Sequence, residues 1–223
     1  MTAVRDTPLE FDAPASLADR AYVAIRDQLV MLDIAPLSPL DDEELARALD
    51  LGRTPVREAL KRLEAERLVV SYPRRGTFAT TVDISDLRDV SEIRTALEPL
   101  AARRAATAAP PQLRAQLREL ARRIRTLDHA RMSRVELMRW DTSVHRSMYR
   151  AAGNPYLEDT LTLYNNLATR IHCLFLDRLA EVGRHVDEHA DLLHAIADGD
   201  ADRAATVCHD HVVGFEAAIR AVL

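Results

Sequence analysis

Asp50-Leu51-Gly52-Arg53-Thr54-Pro55-Val56-Arg57-Glu58-Ala59-Leu60-Lys61-Arg62-Leu63 is the stretch on which the fold turns. Asp50-Leu51-Gly52 makes a tight connection, and Thr54-Pro55 predicts a helix start with a hydroxyl N-cap and proline at the first helical position. Val56, Leu60 and Leu63 give that helix an inward face, while Arg53, Arg57 and Lys61 recur every four residues on another side. Upstream, Asp41 precedes Asp42, Glu43 and Glu44, an acidic first turn that suits a helix dipole, with Leu45, Ala46 and Leu49 as the buried stripe. Two short helices therefore meet at a turn. Further upstream, Leu17, Ala21, Ile25 and Leu29 predict another amphipathic helix, from Leu17 to about Met31, ended by Pro36 and Pro39. Downstream the period changes. Val69, Val70 and Tyr72 precede Pro73-Arg74-Arg75-Gly76, and Thr77-Phe78-Ala79-Thr80-Thr81 follow, which predicts a β-hairpin with a basic tip. Helix, short helix, turn, basic helix and basic hairpin form the layout of a winged helix-turn-helix, whose recognition helix enters the major groove of DNA. Taken by periodicity alone, the basic stripe equally fits a solvated charged face; the order of elements favours DNA.

The composition agrees with a helical chain of two units. At 223 residues and 48% apolar it is too hydrophobic for disorder, and its length suits a small domain plus a medium one. Six Gly and ten aromatic residues (5 Tyr, 4 Phe, 1 Trp) are too few for a β-sandwich or barrel. Two cysteines, Cys173 and Cys208, exclude a disulfide scaffold and suit packing roles in a reducing compartment, the cytoplasm. Residues 1–16 are expected to be a disordered arm, and Met1–Asp19 lacks the basic start and apolar run of a secretory signal. No apolar window approaches the roughly 18 residues that span a bilayer, so no membrane partner is expected. The net charge of −5 conceals a local reversal: residues 53–75 carry seven basic against three acidic side chains, or +4.

From Ile84 onward the pattern is helical. Ile84, Leu87, Val90, Ile93, Leu97, Leu100 and Ala101 mark a first helix, stopped by Pro110-Pro111. Leu113 to Leu127, Val135 to Ala152, Tyr156 to about Ala180 (ended by Gly183), Arg184 to Ala197 and Ala201 to the C-terminus complete a six-helix bundle over residues 83–223. The fold class expected is mostly α, with a winged helix-turn-helix over residues 17–82.

Asp141 and His145 stand four apart on one helix face, among Met138, Val144 and Met148; His189 and His211 lie on two later helices beside apolar neighbours. One carboxylate and three imidazoles would form a set suited to a divalent ion, zinc, nickel, iron or manganese, among which ligand type does not choose. Each histidine equally fits an ordinary core or surface position. His185-x-x-Glu188-His189 also matches the H-x-x-E-H signature of inverted zinc peptidases, the alternative of a metal-dependent hydrolase. That reading lacks a ligand well downstream and a catalytic domain, and the expectation is that the protein is not an enzyme.

Asp42-Glu43-Glu44-Leu45-Ala46, Arg53-Thr54-Pro55-Val56-Arg57-Glu58-Ala59-Leu60 and Arg74-Arg75-Gly76 closely resemble the GntR family of bacterial transcription regulators. That resemblance implies that Arg53 and Arg57 contact base edges or nearby phosphates, that Thr54 holds a phosphate, and that Arg75 with Gly76 forms the wing tip; Lys61 extends the same stripe. One position departs, since Gly52 stands where the family often has serine. The later segment resembles the FadR-like branch, with its FCD-type ligand domain, in Glu92-Ile93-Arg94-Thr95-Ala96-Leu97-Glu98, Asp141-x-x-x-His145, Glu188-His189 and His211. By that resemblance Asp141, His145, His189 and His211 hold a divalent metal, and Arg94 faces a carboxylate effector, a role its guanidinium suits. An ordinary surface salt bridge is the other reading of Arg94. The resemblance implies a homodimeric repressor on a short pseudo-palindromic operator in double-stranded DNA, released by a small organic acid.

Overall fold

The computed structural model describes residues 16–179 and 182–223; the expected arm lies outside them except for Ser16. The described chain divides into two compact units, residues 16–84 and Ser85–Leu223. In the first unit, helix α1 (Leu17–Val30) is capped by Ser16, whose hydroxyl accepts from the Asp19 amide. Helix α2 (Asp42–Leu49) is capped by Asp41, whose carboxylate accepts from the Glu43 and Glu44 amides, and it ends at Asp50 in the left-handed conformation. Helix α3 (Arg53–Ala65) buries Val56, Ala59, Leu60 and Leu63. Its N-cap is Gly52, which has no side chain to cap with, and Thr54 and Pro55 are its second and third residues. The expected Thr54 cap is thus displaced by two positions. None of the first-turn amides has a partner within the helix, so proline is tolerated at the third position as well as the first.

Strands β2 (Val69–Tyr72) and β3 (Gly76–Ala79) form the hairpin, with Val69 opposite Ala79 and Tyr72 opposite Gly76. Gly76 sits at φ +96°, a conformation that glycine adopts without strain. The sequence pattern does not announce a third strand: β1 (Pro39–Leu40) pairs antiparallel with β3, giving the order β1-β3-β2. Pro39 reads as a helix stop, but an edge strand also accepts a residue that lacks an N–H.

The second unit is the bundle. It comprises α4 (Asp86–Ala108), α5 (Pro111–Ile124), α6 (Arg134–Ala151), α7 (Pro155–Cys173), α8 (Val182–Asp198) and α9 (Ala201–Arg220). Helix α4 packs against α6, α7, α8 and α9, so it is the central helix, and it carries Pro99 midway along its length. Ser133 and Glu136 form a reciprocal capping box at the start of α6. Two expectations change here. Helix α7 stops at Cys173, and a 3-10 turn (Leu176–Arg178) follows where continuous helix was expected. Gly183 lies inside α8 instead of ending a helix; a Cβ there would stand 2.7 Å from His129 Nδ1, so the glycine admits a close approach.

The inward face of α4 also differs. Its buried residues include Leu87, Val90, Arg94, Glu98, Ala101 and Ala105, whereas Leu100 is exposed and Ile93 and Leu97 are half-buried. The apolar stripe of the sequence lies one step round the helix from the buried face, because two charged residues, Arg94 and Glu98, occupy the core side. Cys173 and Cys208 are free thiols, and Cys208 is fully buried.

Leu63 is fully buried beneath α1. Replacing it with alanine is expected to cost the first unit about 2–5 kcal/mol, read as an earlier urea transition of that unit while the bundle's transition stays in place.

Candidate metal centre and nucleic-acid interface

The basic stripe of α3 is exposed, but it is not free of partners. Asp42, in the first turn of α2, takes a hydrogen bond from Arg57 Nε and pairs with Arg53 Nη2 at 3.1 Å. The Arg57 hydrogen bond is the main cause that holds the Asp42 carboxyl below its ordinary pKa. Both guanidinium groups stay more than half exposed, and Thr54, Lys61, Arg75 and Gly76 are exposed too. Arg62, counted in the same basic run, has another task. Its Nη1 bonds Asp19 at 2.7 Å and its guanidinium lies 3.9 Å from the centre of the Tyr22 ring, while Tyr22 donates to Glu66 at 2.6 Å. That set ties α3 to α1. Its only signal in the sequence is the period, which puts Arg62 off the Arg53–Arg57–Lys61 line.

In the bundle, Asp141 and His145 from α6, His189 from α8 and His211 from α9 converge, with ligand atoms all within 4.8 Å of one another and all four residues buried. Asp141 Oδ1 stands 3.9 Å from His145 Nε2, 3.5 Å from His189 Nε2 and 3.7 Å from His211 Nε2, and the Nε2 atoms of His145 and His189 are 3.3 Å apart. Two ligands each about 2.1 Å from a tetrahedral zinc lie about 3.4 Å apart, so the spacing fits such an ion.

Two outer carboxylates, Glu98 and Glu188, orient the rings. Glu98 Oε2 lies 2.9 Å from His145 Nδ1, and Glu188 Oε2 lies 3.3 Å from His211 Nδ1. A carboxylate at Nδ1 keeps the proton there and leaves the Nε2 lone pair directed at the centre, the arrangement found around metal-bound histidines. Glu98 is itself held by Arg94, whose Nε donates to Oε1 at 2.5 Å. Burial alone would push Glu98 up, but Arg94 and His145 hold it well below the usual carboxylate range. Asp141 is likewise buried, yet it is held far down by His145, His211 and His189. Burial, followed by the charge of His211, pushes His189 well below its ordinary value. The surface-pair reading of Arg94 is overturned: the residue is buried with Glu98 and lies within range of the Asp141 charge. Neither outer carboxylate follows from spacing. Glu98 is four residues from Arg94 on one face, which is its only sequence signal.

The structure separates the H-x-x-E-H residues. Among the described residues His189 clusters with Asp141, His145 and His211, whereas His185 clusters with Glu188 and His211. Glu188 bonds His185 Nδ1 and His211 Nδ1, so the two histidines of the signature do not share one set of ligands.

A three-helix unit with a small winged sheet, followed by an all-α bundle, is the build of a helix-turn-helix transcription regulator. Residues 17–79 match the gntR family of bacterial regulatory proteins and residues 89–214 match the FCD domain. The chain belongs to the GntR family, with an FCD domain as its C-terminal part. It is 24% identical over 201 residues to the HTH-type transcriptional repressor RspR of Escherichia coli K12, covering 90% of this chain and 88% of that one. It is 29% identical over 213 residues to a probable D-xylose utilization operon transcriptional repressor of Paenarthrobacter nicotinovorans, covering 92% of each. The solved structure of E. coli McbR/YncC superposes with a TM-score of 0.77 at 21% identity, over 93% of this chain and 98% of that one, and shows the same fold. The protein is a DNA-binding transcription regulator, and no described helix is long and apolar enough to cross a membrane.

His211 offers a pH test. Burial works against its charge, but hydrogen bonds to Asp141 and Glu188 raise its pKa to about 9. In the metal-stripped protein this stabilisation is complete below about pH 6.5, the unfolded value, and is lost as pH rises through about 9. Thermal melts in chelator should therefore show the bundle weakening between pH 7 and 9.5 by on the order of 3 kcal/mol, and Glu188→Gln should flatten that slope.

Proposed function

We propose that the chain is an effector-responsive repressor that binds a short pseudo-palindromic operator as a homodimer. In this reading residues 17–82 bind DNA, and residues 83–223 dimerise and bind a small organic acid at a metal held by Asp141, His145, His189 and His211. The observation that carries it is the convergence of three Nε2 atoms and one carboxylate oxygen in a buried centre beside Arg94. A bound divalent cation, zinc first, would supply a Lewis-acid site for an anionic oxygen. Arg94 adds the second recognition element: its Nε is taken by Glu98, and the terminal nitrogens of a guanidinium suit two-point recognition of a carboxylate.

Arg53, Thr54, Arg57 and Lys61 on α3, with Arg75 and Gly76 at the hairpin tip, form the DNA contacts in this reading. A two-fold operator requires two recognition helices, hence two copies. The half-buried and exposed line of Ile93, Leu97 and Leu100 on α4 is an apolar strip that a second copy would cover. Effector release follows if the acid binds the DNA-free dimer more tightly than the operator-bound one, since coupling is reciprocal.

Fluorescence anisotropy on the duplex upstream of its own gene, against a scrambled duplex, tests the first half. Wild type should prefer the native duplex, and Arg57→Ala should lose at least tenfold in affinity, about 1.4 kcal/mol. Loss of binding without loss of preference would assign Arg57 to phosphate instead of bases. Asp42→Asn, which releases both arginines, should tighten binding to scrambled DNA and narrow the preference for the native duplex. For the second half, zinc should raise the melting temperature of the bundle in wild type and not in His189→Ala; equal shifts would remove the metal site.

A further inference from the structure

The H-x-x-E-H segment supplies His189 to the centre described above and leaves His185 outside it. His185 and Glu188 stand three residues apart on one face of α8. Glu188 Oε2 lies 3.3 Å from His185 Nδ1 and 3.3 Å from His211 Nδ1 of α9. The three residues offer ligand atoms that all lie within 4.8 Å of one another. Two ligands of a tetrahedral zinc are about 3.4 Å apart, so this second spacing also suits such an ion. Two imidazoles and one carboxylate are moreover a set that holds zinc with one position left to water.

The surroundings favour the same use. Phe215 of α9 packs edge-on against the His185 ring at 4.7 Å and limits its rotation. Arg184 Nε stands 3.7 Å from the other Glu188 oxygen, Oε1, so Oε2 is the one turned to the histidines. The inner centre is buried in all four of its residues, whereas the Glu188 side chain is 36% exposed and that of His185 14%. An ion at this outer set is therefore reached from solvent. His211 belongs to both sets: its Nε2 lies 3.7 Å from Asp141 Oδ1, and its Nδ1 meets Glu188. One ring thus presents a nitrogen to each.

We propose that His185, Glu188 and the Nδ1 atom of His211 bind a second divalent cation, and that the His211 ring bridges it to the ion held by Asp141, His145 and His189. The inference rests on the proposed inner metal and adds a second ion to it. In the ion-free state Glu188 holds the Nδ1 proton of His211; the second cation takes that place, and the proton leaves to water. The ring is then an imidazolate, whose negative charge lies between the two cations. With three protein ligands against four, and with access to water, the outer site is the weaker one. Because its ligands come from α8 and α9, the second ion also cross-links those two helices.

The test counts zinc on the metal-stripped full-length protein by equilibrium dialysis, from nanomolar to micromolar free zinc, in wild type, His185→Ala, Glu188→Gln and His189→Ala. Wild type should bind two ions per chain in two separate steps. His185→Ala should keep the first step within twofold and weaken the second tenfold or more, and Glu188→Gln should weaken the second by as much. One equivalent in wild type overturns the inference. Its loss in His189→Ala then leaves the inner metal standing, with Glu188 only orienting His211, whereas its loss in His185→Ala alone removes the inner reading. Two equivalents that survive both outer variants also overturn the inference, since the second is then an adventitious ion only. No zinc bound by wild type overturns both readings. Cobalt(II) tests the shared ring: two ions joined through one imidazolate couple magnetically, so EPR intensity should rise by clearly less than twofold from one equivalent to two. A full doubling overturns the bridge. Should His185→Ala fail to fold, Glu188→Gln, at a half-exposed position, carries the comparison.

Discussion

The bundle is organised around the burial of one carboxylate. Asp141 is removed from water, and an isolated ionised carboxylate would be intolerable there. Three imidazoles from three helices surround it, and two of them are in turn steered by further charge: Glu98 with Arg94 behind His145, and Glu188 behind His211. A network of this kind is costly when half complete, because removal of one partner strands the others. The four helices that carry these groups, α4, α6, α8 and α9, therefore cannot slide independently. Their register is fixed by where these polar atoms must meet, and the apolar residues fill the space around that arrangement.

The constraint explains which parts of the fold the sequence reveals. In the DNA-binding unit, caps, turns and a 3.6-residue period coincide, and Asp41, the Asp50–Gly52 turn and the hairpin tip are legible residue by residue. Pro39 misleads because the same residue stops a helix and starts an edge strand. In the bundle, the period of α4 points to Ile93, Leu97 and Leu100 as the core side, on the premise that apolar residues face inward. The charged centre reverses that premise, since Arg94 and Glu98 have partners only inside.

The site is legible to a similar degree. Asp141 and His145 share a helix face by spacing alone. His189 and His211 can be joined to them only by resemblance, because nothing local says that α8 and α9 approach α6. The supporting carboxylates are not legible. Glu188 in particular reads as a catalytic base within H-x-x-E-H, and its actual partners, two Nδ1 atoms, depend on how α8 and α9 pack. On the DNA side the stripe of α3 is plain, yet the grip of Asp42 on Arg53 and Arg57 joins two helices through a turn and leaves no periodic trace.

Pro99 has no N–H to give to the carbonyl one turn before it, so the backbone ladder of α4 is interrupted just past Arg94 and Glu98. A helix is least stiff where a rung is missing, and here the missing rung adjoins the residues that bear the buried charges. Helix α4 is also the first helix after the winged unit along the chain. Mechanically it is a beam notched beside its load. Of all points along α4, Pro99 is the one where the backbone resists bending least.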